Sequence, residues 1–118
     1  VTLEINPETA AEAIENLKEA GMLNKAEVII GSALKTIPKL KGKFDFIFID
    51  AEKSEYLMYL QLLEKYDLLN KSAVIFADNV KVFKREMADY LTYVRNSGRY
   101  RSNFYDFGFD GVEVSEKL

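Results

Sequence analysis

The chain has 118 residues, of which 48% are hydrophobic and 30% are charged, the balance of one ordinary globular domain. It contains neither His nor Cys, which excludes a Ser-His-Asp triad, a cysteine nucleophile, a disulfide framework and a histidine or thiolate zinc site. The net charge of −3 argues against a general nucleic-acid partner, and no apolar run approaches the ~20 residues of a membrane span. We therefore expect a cytoplasmic protein with no membrane partner.

Strand-like and helix-like patterns alternate along the first half of the chain. VTLEI, at residues 1–5, predicts a strand, and the segment after it predicts a helix with Asn6 as N-cap and Gly21 as the stop. AEVIIG predicts a second strand, SALKTIPKL a short helix at most, and FDFIFID, at residues 44–50, a buried and central third strand. This alternation is typical of α/β architecture, and we expect residues 1–118 to form a single domain.

The second half continues the alternation and then changes character. SEYLMYLQLLEKYDLL predicts a helix, SAVIFAD, at residues 72–78, a strand, and FKREMADYLTYVRNSG, at residues 83–98, a helix. The tail RYRSNFYDFGFDGVEVSEK, at residues 99–117, alternates around a Phe-Asp-Gly turn and predicts an antiparallel hairpin.

Acidic and amide side chains follow the predicted strands. Glu4 lies near the end of the first strand, Asp50 ends the third, and Asp78 with Asn79 ends the fourth. Ligands of open α/β sheets bind beyond the carboxyl edge, where the ends of parallel strands meet, so these side chains could converge. Two carboxylates and one amide oxygen suit Mg²⁺ better than zinc.

Each of these residues also has a purely structural interpretation. An Asp after a strand commonly caps the next helix, as Asp50 would, and an Asp-Asn pair such as Asp78 and Asn79 commonly forms a turn. Lys53 alone would be a solvated surface lysine. The coincidence of all these residues at one edge favours a functional site.

The segments TLEINPETA, VIIGSA, FIFIDAEKSEYLMYL, LLNKSAVIFADNV and DGVEVSEK resemble, in that order, the later segments of catechol O-methyltransferase and of the caffeoyl-CoA O-methyltransferase-like enzymes. The resemblance covers essentially the whole chain, and FIDAEK paired with ADNV is its most specific part. It implies an α/β, Rossmann-like class I methyltransferase sheet of order 3-2-1-4-5-7-6 that lacks its first, central strand and carries a C-terminal antiparallel hairpin. It also implies metal-dependent methyl transfer from S-adenosylmethionine to a hydroxyl group.

The resemblance assigns roles to individual residues. Asp50, Asp78 and Asn79 match the ligands of a divalent cation, usually Mg²⁺, and Lys53 matches the proposed general base. The acid that holds the ribose of S-adenosylmethionine matches Glu4, and the loop that lines the adenine matches GSA. The implied cofactor-binding set is Glu4, Ile5, Gly31, Ser32, Ala33 and Asp50.

These roles imply a reaction on a small-molecule acceptor with two adjacent hydroxyls, such as a phenol. The hydroxyls would chelate the cation, which lowers their pKa, and Lys53 would take the proton if metal and burial depress the lysine pKa. Methyl transfer would then be an in-line displacement that depends mainly on alignment.

Several positions depart from the family. Ser72 and Ala73 stand where relatives usually have two glycines, a change that we expect to be structural only. Val82 and Phe83 either line the acceptor pocket or belong to the core. Phe104 stands near the position of the catechol enzyme's substrate-binding acid, which argues against catechol itself. A catechol-like phenol, an acyl-linked phenol and a hydroxylated tRNA base all remain possible acceptors.

The family's first strand and its Gly-x-Gly loop have no counterpart in this sequence. We therefore expect the C-terminal portion of an O-methyltransferase domain, inactive alone. The strands flanking the missing one would either pair directly or recruit a second copy into a homodimer. A phosphoacceptor receiver domain and a non-catalytic interaction or regulatory α/β module are the alternatives.

Overall fold

The computed structural model describes residues 1–118, which form two compact units, Val1–Leu40 and Lys41–Leu118. The first unit contains β1 (Thr2–Glu4), α1 (Pro7–Glu19), β2 (Val28–Ile30), α2 (Ala33–Thr36) and a 3-10 turn at Ile37–Lys39. The second contains β3 (Phe44–Ile49), a 3-10 turn at Lys53–Glu55, α3 (Tyr56–Lys65), β4 (Leu69–Ala77), α4 (Ala88–Asn96), β5 (Tyr100–Asp106) and β6 (Gly111–Lys117). No helix is at once long and apolar enough to cross a membrane. A single domain stays a prediction.

The first unit is a two-stranded parallel sheet with a capped helix. β1 pairs with β2, and Glu4 lies opposite Ile30. Oδ1 of Asn6 accepts hydrogen bonds from the backbone amides of Glu8 and Thr9, at 2.9 and 3.2 Å, so the predicted N-cap of α1 is confirmed. This sheet reproduces the 3-2 part of the implied strand order.

The second unit is a four-stranded mixed sheet of order β3-β4-β6-β5. β3 and β4 run parallel, with Ile49 opposite Ala77, whereas β6 is antiparallel to both of its neighbours. The C-terminal hairpin is confirmed, and the order corresponds to the 4-5-7-6 part of the implied sheet. β6, the last strand in sequence, lies inside the sheet.

The expectation of a central and deeply buried third strand is wrong for this structure. β3 is an edge strand of its sheet, and Phe46 and Phe48 are 60% and 56% exposed. The apolar pattern identifies a strand but not its neighbours, and here no strand pairs with the outer edge of β3. β1 belongs to the other sheet, in which β2 is its partner.

Two element boundaries also differ from the prediction. β4 begins at Leu69, three residues before Ser72, and its pairing with β3 is irregular in this stretch. Ser72 has a φ of 63°, a conformation that favours glycine, so the departure from the family's glycine carries a backbone cost. α4 begins at Ala88, because the amides of Lys81 and Val82 donate to the side chain of Asp110 and the segment before α4 forms turns.

An ion pair between the exposed Arg95 and a buried carboxylate ties α4 to the hairpin. The carboxylate of Glu113, in β6, is fully buried and accepts two hydrogen bonds from the Arg95 guanidinium, at 2.9 and 2.6 Å, and one from the Ser102 hydroxyl at 2.6 Å. Burying a carboxylate is costly unless donors surround it. The Arg95 pair therefore allows β6 to carry an acid in the interior.

We predict that Arg95→Met lowers the free energy of unfolding by about 2–4 kcal/mol, because it leaves Glu113 buried without its cation. Arg101→Met is the matched control: the Arg101–Glu116 pair is exposed, and its loss should cost less than about 1 kcal/mol. Urea denaturation of both variants measures the difference. Equal losses of stability in the two variants would contradict a larger stabilising contribution from the Arg95–Glu113 pair.

Candidate functional site

The carboxyl ends of β1 and β2 bring together most of the predicted cofactor-binding residues of the first unit. The backbone amide of Gly31 donates to the Glu4 carbonyl at 2.9 Å, and Oε1 of Glu4 accepts from the Asn6 amide at 2.9 Å. Ile5 follows β1 and is exposed, while Ser32 precedes the first residue of α2, Ala33. The Glu4 carboxylate is thus held by the chain beside the loop that begins at Gly31.

The carboxyl ends of β3 and β4 bring Asp50 next to Asp78. Ile49 and Ala77 are paired neighbours, and the Asp78 amide donates to the Ile49 carbonyl at 3.1 Å. Asp50 and Asp78 are therefore the first residues beyond two adjacent parallel strands. Asn79 is the next residue, and its backbone amide donates a hydrogen bond to Oδ1 of Asp78 at 2.7 Å.

Lys53 lies on this same edge and is bound by two partners. Its Nζ donates to Oδ1 of Asp50 and to the hydroxyl of Tyr56, each at 2.9 Å. The short 3-10 turn that begins at Lys53 produces this geometry, because it folds the chain back over the end of β3. The lysine is mostly buried, with 13% of its side chain exposed, whereas Asp50 is half exposed.

A depressed Lys53 pKa was expected from a bound metal together with burial, and in the metal-free chain burial alone does not produce it. Burial would lower the pKa of Lys53, but the hydrogen bonds and charge attraction of Tyr56 and Asp50 outweigh burial and raise the pKa. Lys53 is therefore a cation at neutral pH here and balances the charge of Asp50.

Tyr56 is a site residue that the sequence analysis treated only as part of a helix face. Its hydroxyl accepts from Lys53 and from the Ala51 amide, at 2.9 and 3.3 Å, and donates to the Ile49 carbonyl at 3.1 Å. Burial raises the pKa of Tyr56 against the lowering effect of Lys53, which keeps the hydroxyl protonated at neutral pH. The spacing of Asp50, Lys53 and Tyr56 at every third position is the signal that could have identified this group.

Asp110 is the second site residue that sequence reasoning missed. The Nδ2 group of Asn79 donates to its Oδ2 at 2.9 Å, and the backbone amides of Lys81, Val82 and Gly111 donate to its Oδ1. Burial would raise the pKa of Asp110, but these hydrogen bonds outweigh burial and hold the pKa below its usual range. No local pattern relates residues 79 and 110, because only the β4–β6 pairing brings them together.

Two apolar side chains in the segment after Asn79 are exposed. Val82 is 57% exposed and Phe83 37% exposed, so the core interpretation of these two residues is wrong. Nζ of Lys53 lies 5.7 Å from the centre of the Phe83 ring, within the range of a cation–π contact. Phe83 thus supplies an apolar surface next to the lysine.

The donor set at this edge fits a hard divalent cation in its chemistry. Asp50, Asp78 and Asn79 offer only oxygen ligands, the type that Mg²⁺ and Mn²⁺ prefer. No group of three or more His, Cys, Asp or Glu side chains in the chain is arranged to hold a metal. Any cation would depend on the Asn79 amide oxygen as its third protein ligand.

Comparison with known proteins identifies similar sequences over most of the chain. A family model described as O-methyltransferase matches residues 1–91. The mouse catechol O-methyltransferase is 37% identical over 123 aligned residues, which cover 100% of this chain and 46% of the mouse protein. The chain spans about half the length of curated relatives such as this one.

Solved structures match the fold closely. A cofactor-bound protein from MTB is 30% identical with a TM-score of 0.88, covering 98% of this chain and 60% of its own. An O-methyltransferase from Bacillus cereus in complex with SAH is 25% identical with a TM-score of 0.88, covering 99% of this chain and 61% of its own.

We predict that Tyr56→Phe lowers the free energy of unfolding by about 1–3 kcal/mol, because it removes the acceptor of the Ala51 amide and of Lys53 Nζ. Tyr66→Phe, the same change at an exposed tyrosine, should cost less than about 0.5 kcal/mol. Urea denaturation compares the two variants. A Tyr56→Phe protein as stable as the Tyr66→Phe control would show that the hydroxyl does not hold the turn.

Proposed function

Because this chain belongs to the O-methyltransferase family, we propose that it takes part in transferring a methyl group from S-adenosylmethionine to a hydroxyl acceptor, with a divalent cation such as Mg²⁺. We propose a small-molecule acceptor with two adjacent hydroxyls, of phenolic or similar type. The O-methyltransferase name of the relatives and the SAH bound to the Bacillus cereus protein support the reaction class.

The observation that carries this proposal is the adjacency of Asp50 and Asp78 at the ends of paired strands. The backbone pairing places Asp50 and Asp78 at one edge of the sheet, and we propose that their carboxylates share a cation there. Asn79 adds a neutral oxygen, and Lys53 and Phe83 add a cation and a ring beside Asp50. We propose that this set binds a polar, aromatic acceptor.

The bound groups would supply the reactive chemistry: S-adenosylmethionine the methyl carbon, and the cation a lower pKa for the acceptor hydroxyl. The chain's own residues would hold the cofactor and the acceptor and orient them for the transfer. Tyr56 fixes the position of Lys53 Nζ. We propose that Lys53 first gives up its contact with Asp50 and releases one proton to solvent, and that the neutral amine then receives the acceptor's proton. Phe83 would pack against the acceptor ring.

The first unit would hold the adenosine part of the cofactor. Glu4 presents a carboxylate of the kind that accepts hydrogen bonds from ribose hydroxyls, and its backbone is bonded to Gly31. Gly31 has a φ of 143°, in the region that favours glycine, so its loop has no side chain at that point to obstruct a flat base. Ile5, Ser32 and Ala33 would complete the contact surface.

The proposal extends to the whole protein. We propose that residues 1–118 work as the C-terminal portion of an O-methyltransferase domain, since the chain covers only 46% of the mouse relative. A homodimer and a cytoplasmic location stay predictions from the sequence. The comparisons do not favour a receiver domain or a non-catalytic module.

We predict that Asp78→Ala weakens Mn²⁺ binding to the chain by more than about 100-fold, beyond the 10–100-fold that loss of an outer partner costs. Titration calorimetry with Mn²⁺ measures the affinity. Asp45→Ala removes an exposed acid near the opposite end of β3 and should change the affinity by less than about twofold. Similar affinities for the two variants would refute the proposed metal site.

We predict that Lys53→Ala slows turnover in the complete protein by roughly 10²–10⁴-fold while the affinity for S-adenosylmethionine changes less than about twofold, because the lysine acts on proton transfer. Lys43→Ala, at an exposed lysine paired with Asp67, is the control and should alter neither quantity. Steady-state rates and cofactor titration provide the two numbers. Parallel losses in rate and affinity would count against Lys53 as the base.

A further inference from the structure

The two oxygens of the Asp110 carboxylate have different partners. Oδ1 accepts the backbone amides of Lys81 and Val82, each at 3.2 Å, and that of Gly111 at 2.8 Å. Oδ2 accepts the side-chain Nδ2 of Asn79 at 2.9 Å. Oδ1 therefore stabilises the backbone of the turn, whereas Oδ2 accepts a hydrogen bond from the side chain of Asn79.

The contact with Oδ2 fixes which way the Asn79 amide faces. A carboxylate oxygen only accepts, so Asn79 must turn its NH₂ group toward Asp110, and its oxygen then points away. A free amide could rotate by half a turn and exchange its two ends. Since an NH₂ group cannot ligate a cation, the orientation decides whether Asn79 is a ligand at all.

We propose that Asp110 is a positioning residue that makes Asn79 a metal ligand by holding its amide in the orientation with the oxygen free. This inference rests on the proposed function, because it assumes the cation held by Asp50, Asp78 and Asn79. The backbone contributes as well, because Asn79 has a φ of 62°, which Asn and Asp tolerate better than most residues. This backbone conformation sets the direction in which the Asn79 side chain leaves the chain.

Asp110→Asn tests the inference selectively. The substituted amide keeps an oxygen for the three backbone amides but places an NH₂ group where Oδ2 was, opposite the NH₂ group of Asn79. Asn79 then turns its oxygen toward position 110, and its NH₂ group toward the cation. We expect Mn²⁺ affinity, measured by electron paramagnetic resonance of free Mn²⁺, to fall about 10–100-fold.

Asp106→Asn is the matched control for charge. It removes a carboxylate from the same hairpin, one that contacts Lys81 Nζ and the Gly108 amide and not Asn79. A general electrostatic effect on the cation would weaken both variants alike. We expect the Asp106→Asn chain to bind Mn²⁺ within about twofold of the unaltered chain.

A double-mutant cycle with Asn79→Asp separates orientation from simple loss of charge or of folding. The carboxylate that Asn79→Asp introduces can ligate a cation with either oxygen, so its orientation does not decide whether it is a ligand. Asp110→Asn should therefore weaken Mn²⁺ binding by about 10–100-fold in the chain that keeps Asn79 and by less than about threefold in the chain that carries Asn79→Asp. Misfolding caused by Asp110→Asn would weaken binding in both chains alike.

The metal-free chain gives an independent measurement. The Asn79 side-chain NH₂ signals in a ¹⁵N spectrum should show slowed proton exchange that Asp110→Asn abolishes. If the unaltered chain binds Mn²⁺ and Asp110→Asn binds it equally well, or if Asp110→Asn causes the same loss with Asn79 and with Asn79→Asp, the inference is overturned and the proposed metal site stands. If the unaltered chain binds no Mn²⁺, the metal site and this inference both fall.

Discussion

The arrangement of the second unit depends on the requirement that a buried carboxylate be surrounded by donors. Two acids near the start of β6, Asp110 and Glu113, meet this requirement in different ways. Asp110 collects the Asn79 amide and three backbone amides, which docks the turn after β4 onto the hairpin. Glu113 collects Arg95 and Ser102, which docks α4 and β5 onto the same strand. Removing either acid would free the elements that it gathers, so β6 organises both the core and the proposed site.

The proposed site contains a competition for Asp50. Lys53 already balances the charge of that carboxylate, and a divalent cation would take the same oxygens. If a cation displaced the ammonium, the lysine would keep Tyr56 but lose Asp50, one of the two partners that raise its pKa, while burial, which lowers the pKa, would remain. Cation binding and readiness to accept a proton would thus be coupled through one carboxylate, with Tyr56 keeping Lys53 in place throughout.

The sequence predicted those features of the structure that depend on interactions between residues close together in the chain. The cap of α1 at Asn6 and the residues that follow β3 and β4 were predictable, because capping and strand ends involve neighbours in the chain. The late start of α4 was not, since the amides of Lys81 and Val82 are drawn to Asp110 from a distant segment. The apolar pattern of β3 did not predict its edge position either, because such a pattern reports burial in general and not which strand lies beside it. Only the implied absence of the family's first strand, next to β3, predicted that edge.

The inside position of β6 also constrains the order of folding. β4 and β5 do not touch each other as paired strands; each pairs with β6, the last of the three to leave the ribosome. Until β6 emerges, both strands have an unpaired edge and Arg95 has no carboxylate to bind. The complete sheet of the second unit can therefore form only after residues 111–117 have been synthesised. Deletion of residues 111–117 would leave β4 and β5 without the strand that joins them.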